Sequence, residues 1–442
     1  MFHNIAEPVL FFIAWVHLNS VYLNLKVKSF INKGALLMND FSWECRTKVR
    51  FGKECVREHL AGFVEEFAMP GRNIMIGYGG GSVKRNGAYD DVISVLESLG
   101  YSRTGSAAEG SLIVEFPGIM SNPTLRKMQE GAELASRMDV GLIIGIGGGS
   151  VMDCCKAISV QAGYDGDAWE DFWMSGKPMT HDVLPCGVVV TMPATGSEVN
   201  GCAVLTNEET HIKTDRDYPE MNPLFALMDP SYTLTMPLRQ LRAGTFDILS
   251  HVMETYFSFP VEDNPADDVS EGLMRGLIRD FREAVKDPAE YQARSNIMWA
   301  ASLAENRIIK TGKTKDFQAH NMEHQLSAFT DCNHGEGLAV LHPAYYRHIY
   351  KDGLGKFVRF AERVWELDHK DYDSDEALAL AGIDRLATFI KEMGLPSTLR
   401  ELGFGKEEYG MLPEIAESCF ISQGAFRPLT KEEILDIYKE CW

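Results

Sequence analysis

Seven residues without a polar side chain, Val140-Gly-Leu-Ile-Ile-Gly-Ile146, run straight into Gly147-Gly148-Gly149-Ser150 and then into a helical pattern from Met152. A continuous apolar run of this length, closed by glycine, predicts a strand covered on both faces, and such strands belong to parallel sheets. The same order recurs nearby. Asn73–Tyr78 reads as a buried strand ending at Gly79, and 90–99 as a helix. Ser111–Phe116 is a second strand, 124–137 a helix, and Val188–Val190 a further strand. Strand–helix alternation predicts a mostly parallel α/β sheet with helices on both faces, over about residues 70–225.

After Asp229-Pro230 the character changes. Stretches rich in Ala, Leu, Glu, Arg and Met carry helical spacing over 265–287, 290–311 and 376–394. The second half therefore reads as all-helical, with the change near 223–230. The expected division is 38–225 for the α/β half and 226–442 for the helical half.

Residues 1–37 stand apart. The apolar run Val9–Val16 is too short to span a bilayer, and it lacks the basic start and cleavage site of a secretory signal. Lys33-Gly34-Ala35 can be encoded by a purine-rich stretch resembling a bacterial ribosome-binding site just before Met38. Residues 1–37 are accordingly expected to be translated leader, the alternative being a true extension or membrane tether.

A formal charge of −20 argues against a nucleic-acid partner, because phosphate binding wants clustered Lys and Arg. Nine cysteines without Cys-x-x-Cys spacing fit reduced thiols in a cytoplasm better than a disulfide framework. Any metal must then be held by His and carboxylate donors.

The glycine turn Gly147-Gly148-Gly149-Ser150 lets backbone approach a pyrophosphate at a helix N-terminus, with Asp153 one turn on. Tight strand–helix turns need glycine anyway, so this loop alone is ambiguous. A companion loop, Gly79-Gly80-Gly81-Ser82, follows an earlier strand; Ser82 and Lys84 there suit a ribose phosphate, where an acidic side chain would suit a free ribose. Thr191 and Thr195 follow Val188–Val190, at a strand end where open sheets bind ligands.

The sharpest chemistry lies in the helical half. Asp247 and His251 are spaced i, i+4 and share one helix face, as do His320 and His324; His334 follows ten residues later. A metal needs donors converging from different elements, and the chain has only twelve His in all. Glu254, three residues after His251, is a rival donor or a helix-surface partner.

The segments YGGGSVKRNGAYDDV, GIGGGSVMDCCKAI, MPATGSEVN, DILSHVMETY and HNMEHQLSAF…NHGEGLAV, in this order, resemble the iron-containing alcohol dehydrogenase family. The similarity is to its butanol-dehydrogenase and broad aldehyde-reductase branch and runs from about Met38 to the C-terminus.

The resemblance implies a Rossmann-like α/β nucleotide-binding domain followed by an all-α metal-binding domain, in a dehydroquinate synthase-like architecture with the nucleotide cleft between them. It implies that Asp247, His251, His320 and His334 ligate one divalent metal, Fe²⁺ or Zn²⁺, with His324 beside the reacting carbon. Gly147, Gly148, Gly149 and Ser150 would receive the cofactor pyrophosphate, with Asp153 nearby among the cofactor-binding residues and Thr191 and Thr195 lining the nucleotide. Gly79, Gly80, Gly81 and Ser82 would surround the adenosine ribose, and Lys213 would touch the cofactor. A homodimer and hydride transfer between small alcohols or aldehydes and a nicotinamide are implied too.

The Gly79–Ser82 loop favours NADP(H) over NAD(H). Phe246, Trp299 and Phe329 are candidate cleft side chains. Two other classes use the same features: a metal-dependent sugar-phosphate cyclase, which would want a more basic pocket than Lys213 supplies, and a non-catalytic metal- and nucleotide-binding protein.

Overall fold

A computed structural model describes residues 38–442; the leader expected over 1–37 lies outside the described residues. Eight strands are present among them: β1 (Lys48–Phe51), β2 (Asn73–Tyr78), β3 (Ile113–Phe116), β4 (Val140–Gly147), β5 (Cys186–Val190), β6 (Cys202–Asn207), β7 (Ile212–Asp217) and β8 (Phe225–Met228). Six of these form one sheet in the order β1-β8-β5-β4-β2-β3, with every neighbouring pair parallel.

Helices α1 (Cys55–Phe67), α2 (Ser82–Arg85), α3 (Ala88–Ser98), α4 (Leu125–Arg137) and α5 (Gly149–Ala162) connect the strands. Side chains alternate across a strand, and β4 shows it: Leu142 and Ile144 pack with α1 and α3, while Ile143 packs with α4 and α5. The sheet is thus covered on both faces, as the unbroken apolar run requires. Thr124 caps α4 by accepting from the Lys127 amide at 3.1 Å. Met128, Ala132 and Ala135 then fall on its buried face.

Three features depart from the sequence reading. Helix α5 starts at Gly149, not Met152, because the extended Gly148 carbonyl already accepts from the amides of Val151 and Met152. The free amides of its first turn are thereby brought to the glycine loop. The antiparallel hairpin β6–β7 was not anticipated; Ile-Lys-Thr-Asp-Arg-Asp in β7 has too little apolar alternation to read as a strand. The expected division at 225/226 falls inside β8, whose residues pair with both β1 and β5. The chain leaves the sheet only after Met228.

The second half is helical throughout: α6 (Leu238–Tyr256), α7 (Pro265–Lys286), α8 (Tyr291–Glu305), α9 (Gln318–Thr330), α10 (His334–Ile349), α11 (Leu354–Arg363), α12 (Asp375–Met393), α13 (Lys406–Ser418) and α14 (Lys431–Glu440). From Ala243 to its end α6 is buried on every side, the state of a central core helix. Packing against it, α10 is capped by Asn333, which accepts from the Glu336 amide at 3.1 Å. That cap makes His334 the first residue of its helix. No helix among the described residues is long and apolar enough to cross a membrane.

Candidate metal centre

Helix α6 carries Asp247, His251 and Glu254 on one buried face. Across from it α9 presents His320, Glu323 and His324, and the start of α10 adds His334. The three elements converge on Asp247. Its Oδ1 lies 3.6 Å from His251 Nδ1, 3.6 Å from His320 Nε2 and 3.5 Å from His334 Nε2.

These separations are too long for hydrogen bonds. Asp247 Oδ1, His251 Nδ1 and His320 Nε2 are each buried and without a hydrogen-bond partner in the described structure. Leaving a buried polar atom unsatisfied costs about 1–3 kcal/mol, so three of them facing one point call for an electrophile there. The donors Asp247, His251 and His320 lie within 4.8 Å of one another. One carboxylate and three imidazoles are a donor set that suits Fe²⁺ and Zn²⁺ alike.

Charge balance points the same way. Asp247, Glu254 and Glu323 are buried carboxylates, and Lys213 is the buried ammonium beside them. The surplus of negative charge among these groups favours a cation at their centre. Protons on the imidazoles answer it otherwise. Burial opposes a charged His320, yet Glu254 and Asp247 outweigh it and push its pKa up to about 10. Burial likewise works against a charged His334, and Glu323 outweighs it. Burial opposes ionisation of Asp247, but His251 and His334 hold its carboxyl well below the usual range.

Glu254 resolves its ambiguity here. One oxygen is hydrogen-bonded to His320 Nδ1, and the other accepts from the Ala319 amide at 2.7 Å. It holds a donor ring in place from outside. Glu323, which sequence spacing did not single out, does the same for His334 Nδ1. Carboxylate partners of this kind fix the tautomer and the direction of a ligating imidazole.

His324 sits beside this group, its ring 5.5 Å from that of His334 and 6.1 Å from that of His320. Burial, reinforced by Lys213 and His334, holds its pKa well below the ordinary histidine value. Lys213 reaches in from β7, its Nζ 2.9 Å from Asn122 Oδ1 and 3.5 Å from Glu323 Oε2.

Because β2, β4 and β5 are adjacent and parallel, Gly79–Ser82, Gly147–Ser150 and Thr191–Thr195 all leave the same carboxyl edge of the sheet. The Thr191 amide donates to the Gly147 carbonyl at 2.9 Å, tying two of the loops together. Gly149 is needed for packing: a Cβ there would stand 2.4 Å from Thr195 Oγ1. Gly80 is not, since a Cβ there would meet nothing within 4 Å, and its φ is not positive. Exposed Lys84 lies over the rings of Tyr78 and Tyr89, whose hydroxyls both donate to Glu115.

Asp153 is turned inward. Ser197 Oγ donates to one of its oxygens at 2.5 Å and the Val204 amide to the other at 3.0 Å. It anchors α5 to the hairpin, with Lys156 beside it. Among the aromatic cleft candidates, Phe246 is wholly buried against His342, and Trp299 packs on Phe51 at the sheet edge. Phe329 stacks on His211.

Two family models match this chain: iron-containing alcohol dehydrogenase over residues 46–230, and the C-terminal part of the Fe-containing alcohol dehydrogenase family over 242–442. The chain belongs to the iron-containing alcohol dehydrogenase family. It is 36% identical over 407 residues to NADH-dependent butanol dehydrogenase A of Clostridium acetobutylicum, covering 92% of this chain and 100% of that one. It is 32% identical to the NADPH-dependent aldehyde reductase YqhD of Escherichia coli over 91% of this chain and 99% of that one. The crystal structure of NADH-dependent butanol dehydrogenase A from Thermotoga maritima superposes with a TM-score of 0.83 at 30% identity, covering 92% of this chain and 99% of that one.

This iron-type alcohol dehydrogenase is accordingly an NAD(P)-linked oxidoreductase of alcohols and aldehydes, with the α/β and all-helical halves that the sequence led one to expect. None of the relatives named here is a cyclase.

Proposed function

We propose that Asp247, His251, His320 and His334 hold one divalent metal, Fe²⁺ or Zn²⁺, and that the enzyme interconverts short-chain primary alcohols and aldehydes of butanol size. The observation that carries the reading is the set of three buried, unpartnered donor atoms on Asp247, His251 and His320, with His334 Nε2 3.5 Å from Asp247 Oδ1. The names of the relatives, butanol dehydrogenase and aldehyde reductase, support the substrate class.

When bound, the metal supplies Lewis acidity toward the substrate oxygen, and the nicotinamide supplies or accepts the hydride. The residues do the rest. Glu254 and Glu323 hold the rings of His320 and His334 in the direction their free nitrogens must face. His324 is neutral and takes or returns the hydroxyl proton, directly or through water. Gly147, Gly148, Gly149 and Ser150, at the N-terminus of α5, receive the pyrophosphate on backbone amides. Thr191 and Thr195 line the nucleotide, Lys213 completes its nicotinamide end, and Asp153 keeps α5 in place.

Gly79, Gly80, Gly81 and Ser82 take the adenosine ribose. With no acidic side chain in that loop, and with Ser82 and Lys84 exposed at its end, the reading favours NADP(H) over NAD(H) and aldehyde reduction as the working direction. Assembly is read as a homodimer through edge strand β1, where Phe51 and Trp299 are exposed against each other. Nine unpaired cysteines fit a cytoplasmic protein.

The test is turnover of butanal by protein produced from Met38, stripped of metal and reconstituted with Fe²⁺ or Zn²⁺, with NADPH and NADH compared. Metal-dependent oxidation with a higher kcat/KM for NADPH supports the whole reading. An equal or higher value for NADH removes the cofactor preference alone, and no turnover with either metal removes the reaction.

A further inference from the structure

We infer that Glu323 is a positioning residue that links the metal centre to the nucleotide half, so that cofactor and metal each tighten the binding of the other. The inference rests on the four-ligand reading above. Its basis is a continuous chain of charged and polar groups. His334 Nδ1 is hydrogen-bonded to Glu323 Oε2; the same oxygen lies 3.5 Å from Lys213 Nζ; and Lys213 Nζ donates to Asn122 Oδ1 at 2.9 Å. Asn122 belongs to the loop leaving the carboxyl end of β3, at the edge where the sheet presents its nucleotide loops. It also donates to Asp331 Oδ1 at 2.8 Å, just before His334.

The middle of this chain is shut off from water. The Glu323 side chain is 0% exposed and that of Lys213 is 4% exposed. Away from solvent screening, a change in how Lys213 is held is felt at Glu323, and through it at the ring that must face the metal. Ser327 donates to the second Glu323 oxygen and keeps the carboxylate from turning away. A cofactor seated against Lys213 and the loop carrying Asn122 thereby holds Lys213, Glu323 and His334 in one arrangement, which gives the linkage a positive sign.

Glu254 supplies the contrast. It holds His320 as Glu323 holds His334, but its other partners, the amides of Ala319 and His320, lie within the helical half. Both carboxylates position a donor ring; only Glu323 touches a group that reaches the sheet.

The experiment measures Zn²⁺ affinity by competition with a chromogenic chelator, with and without saturating NADPH or NADH, in wild-type, Glu323→Gln, Glu254→Gln and Asn122→Ala protein. Reciprocal cofactor affinities with and without Zn²⁺ come from nicotinamide fluorescence. Cofactor is expected to tighten Zn²⁺ by roughly fivefold or more in the wild type, the lower end of ordinary coupling. Glu254→Gln weakens Zn²⁺ but keeps that factor. Glu323→Gln weakens Zn²⁺ and brings the factor to about one, and Asn122→Ala lowers the factor while leaving cofactor-free Zn²⁺ affinity near wild type.

A wild-type factor of about one, or one that survives in Glu323→Gln or is lost equally in Glu254→Gln, overturns the inference and leaves the metal reading standing. Zn²⁺ binding undiminished by Asp247→Asn overturns the metal reading itself, and the inference with it.

Discussion

His320 Nε2 lies 3.6 Å from Asp247 Oδ1, and neither atom has a hydrogen-bond partner in the described structure. Both are buried in the crossing of α6 and α9. A fold that carries these costs in its interior recovers them by binding a cation, so metal and stability are linked. Chelation is expected to lower the melting temperature, and Zn²⁺ at about a thousand times its Kd to restore about 4 kcal/mol. Asp247→Asn removes the charge at the centre of the set. That variant is expected to retain little metal by elemental analysis and to show no melting shift on chelation.

On the proposed reading, His324 serves the chemistry rather than the metal set. Replacing it with Asn should leave metal content at the wild-type level and lower kcat roughly a hundredfold or more, the ordinary worth of a positioned proton-transfer group. Loss of metal in His324→Asn, measured on the same preparation, would reassign it as a ligand.

Gly80 and Gly149 separate a binding role from a packing role. A methyl group at position 80 meets nothing within 4 Å, so Gly80→Ala should keep the wild-type melting temperature. If the cofactor ribose lies there, KM for the nicotinamide cofactor rises. Gly149→Ala drives a methyl to 2.4 Å from Thr195 Oγ1 and is expected to lower melting temperature and cofactor affinity together. An unchanged cofactor KM in Gly80→Ala removes the ribose from that loop.

His342 gives the enzyme an acid limb. Its Nε2 is 2.6 Å from Ser250 Oγ, and burial lowers its pKa to about 4 from 6.5. Between those two values the unfolded chain holds a proton that the native protein refuses, so stability falls as pH drops through the window. The contribution is about 3 kcal/mol, fully present above the unfolded pKa and lost by the folded one. Urea titrations over this range should show a shallower decline for His342→Phe. An identical slope would mean that other groups set the acid limb.

Much of the site was legible because its signals are local. The i, i+4 pair Asp247/His251 needs only one helix to bring its side chains together, and the buried strand β4 needs only its own seven apolar residues. The same locality explains what the sequence left open or missed. Asp153 follows the glycine loop in sequence, yet its carboxylate points at Ser197 and Val204, which belong to a turn and a hairpin some fifty residues away. Glu254 could be a ligand or a helix-surface group on spacing alone. Only the approach of α9 places His320 Nδ1 on its carboxylate. β7 was invisible because Lys213 and its polar neighbours are buried by α9, not by an alternating apolar pattern of their own.

By itself, then, the order of residues determined the two-part plan of a helix-covered parallel sheet followed by a helical half, the glycine turns, and the donor types available to a metal. Those follow from backbone preference and hydrophobic period, which act over a few residues. Tertiary structure alone decided which donors meet at Asp247, which carboxylates stand behind them, and that Lys213 bridges Glu323 to Asn122. Such contacts depend on where separate elements pack, and burial there strengthens every charge–charge term that solvent would otherwise screen.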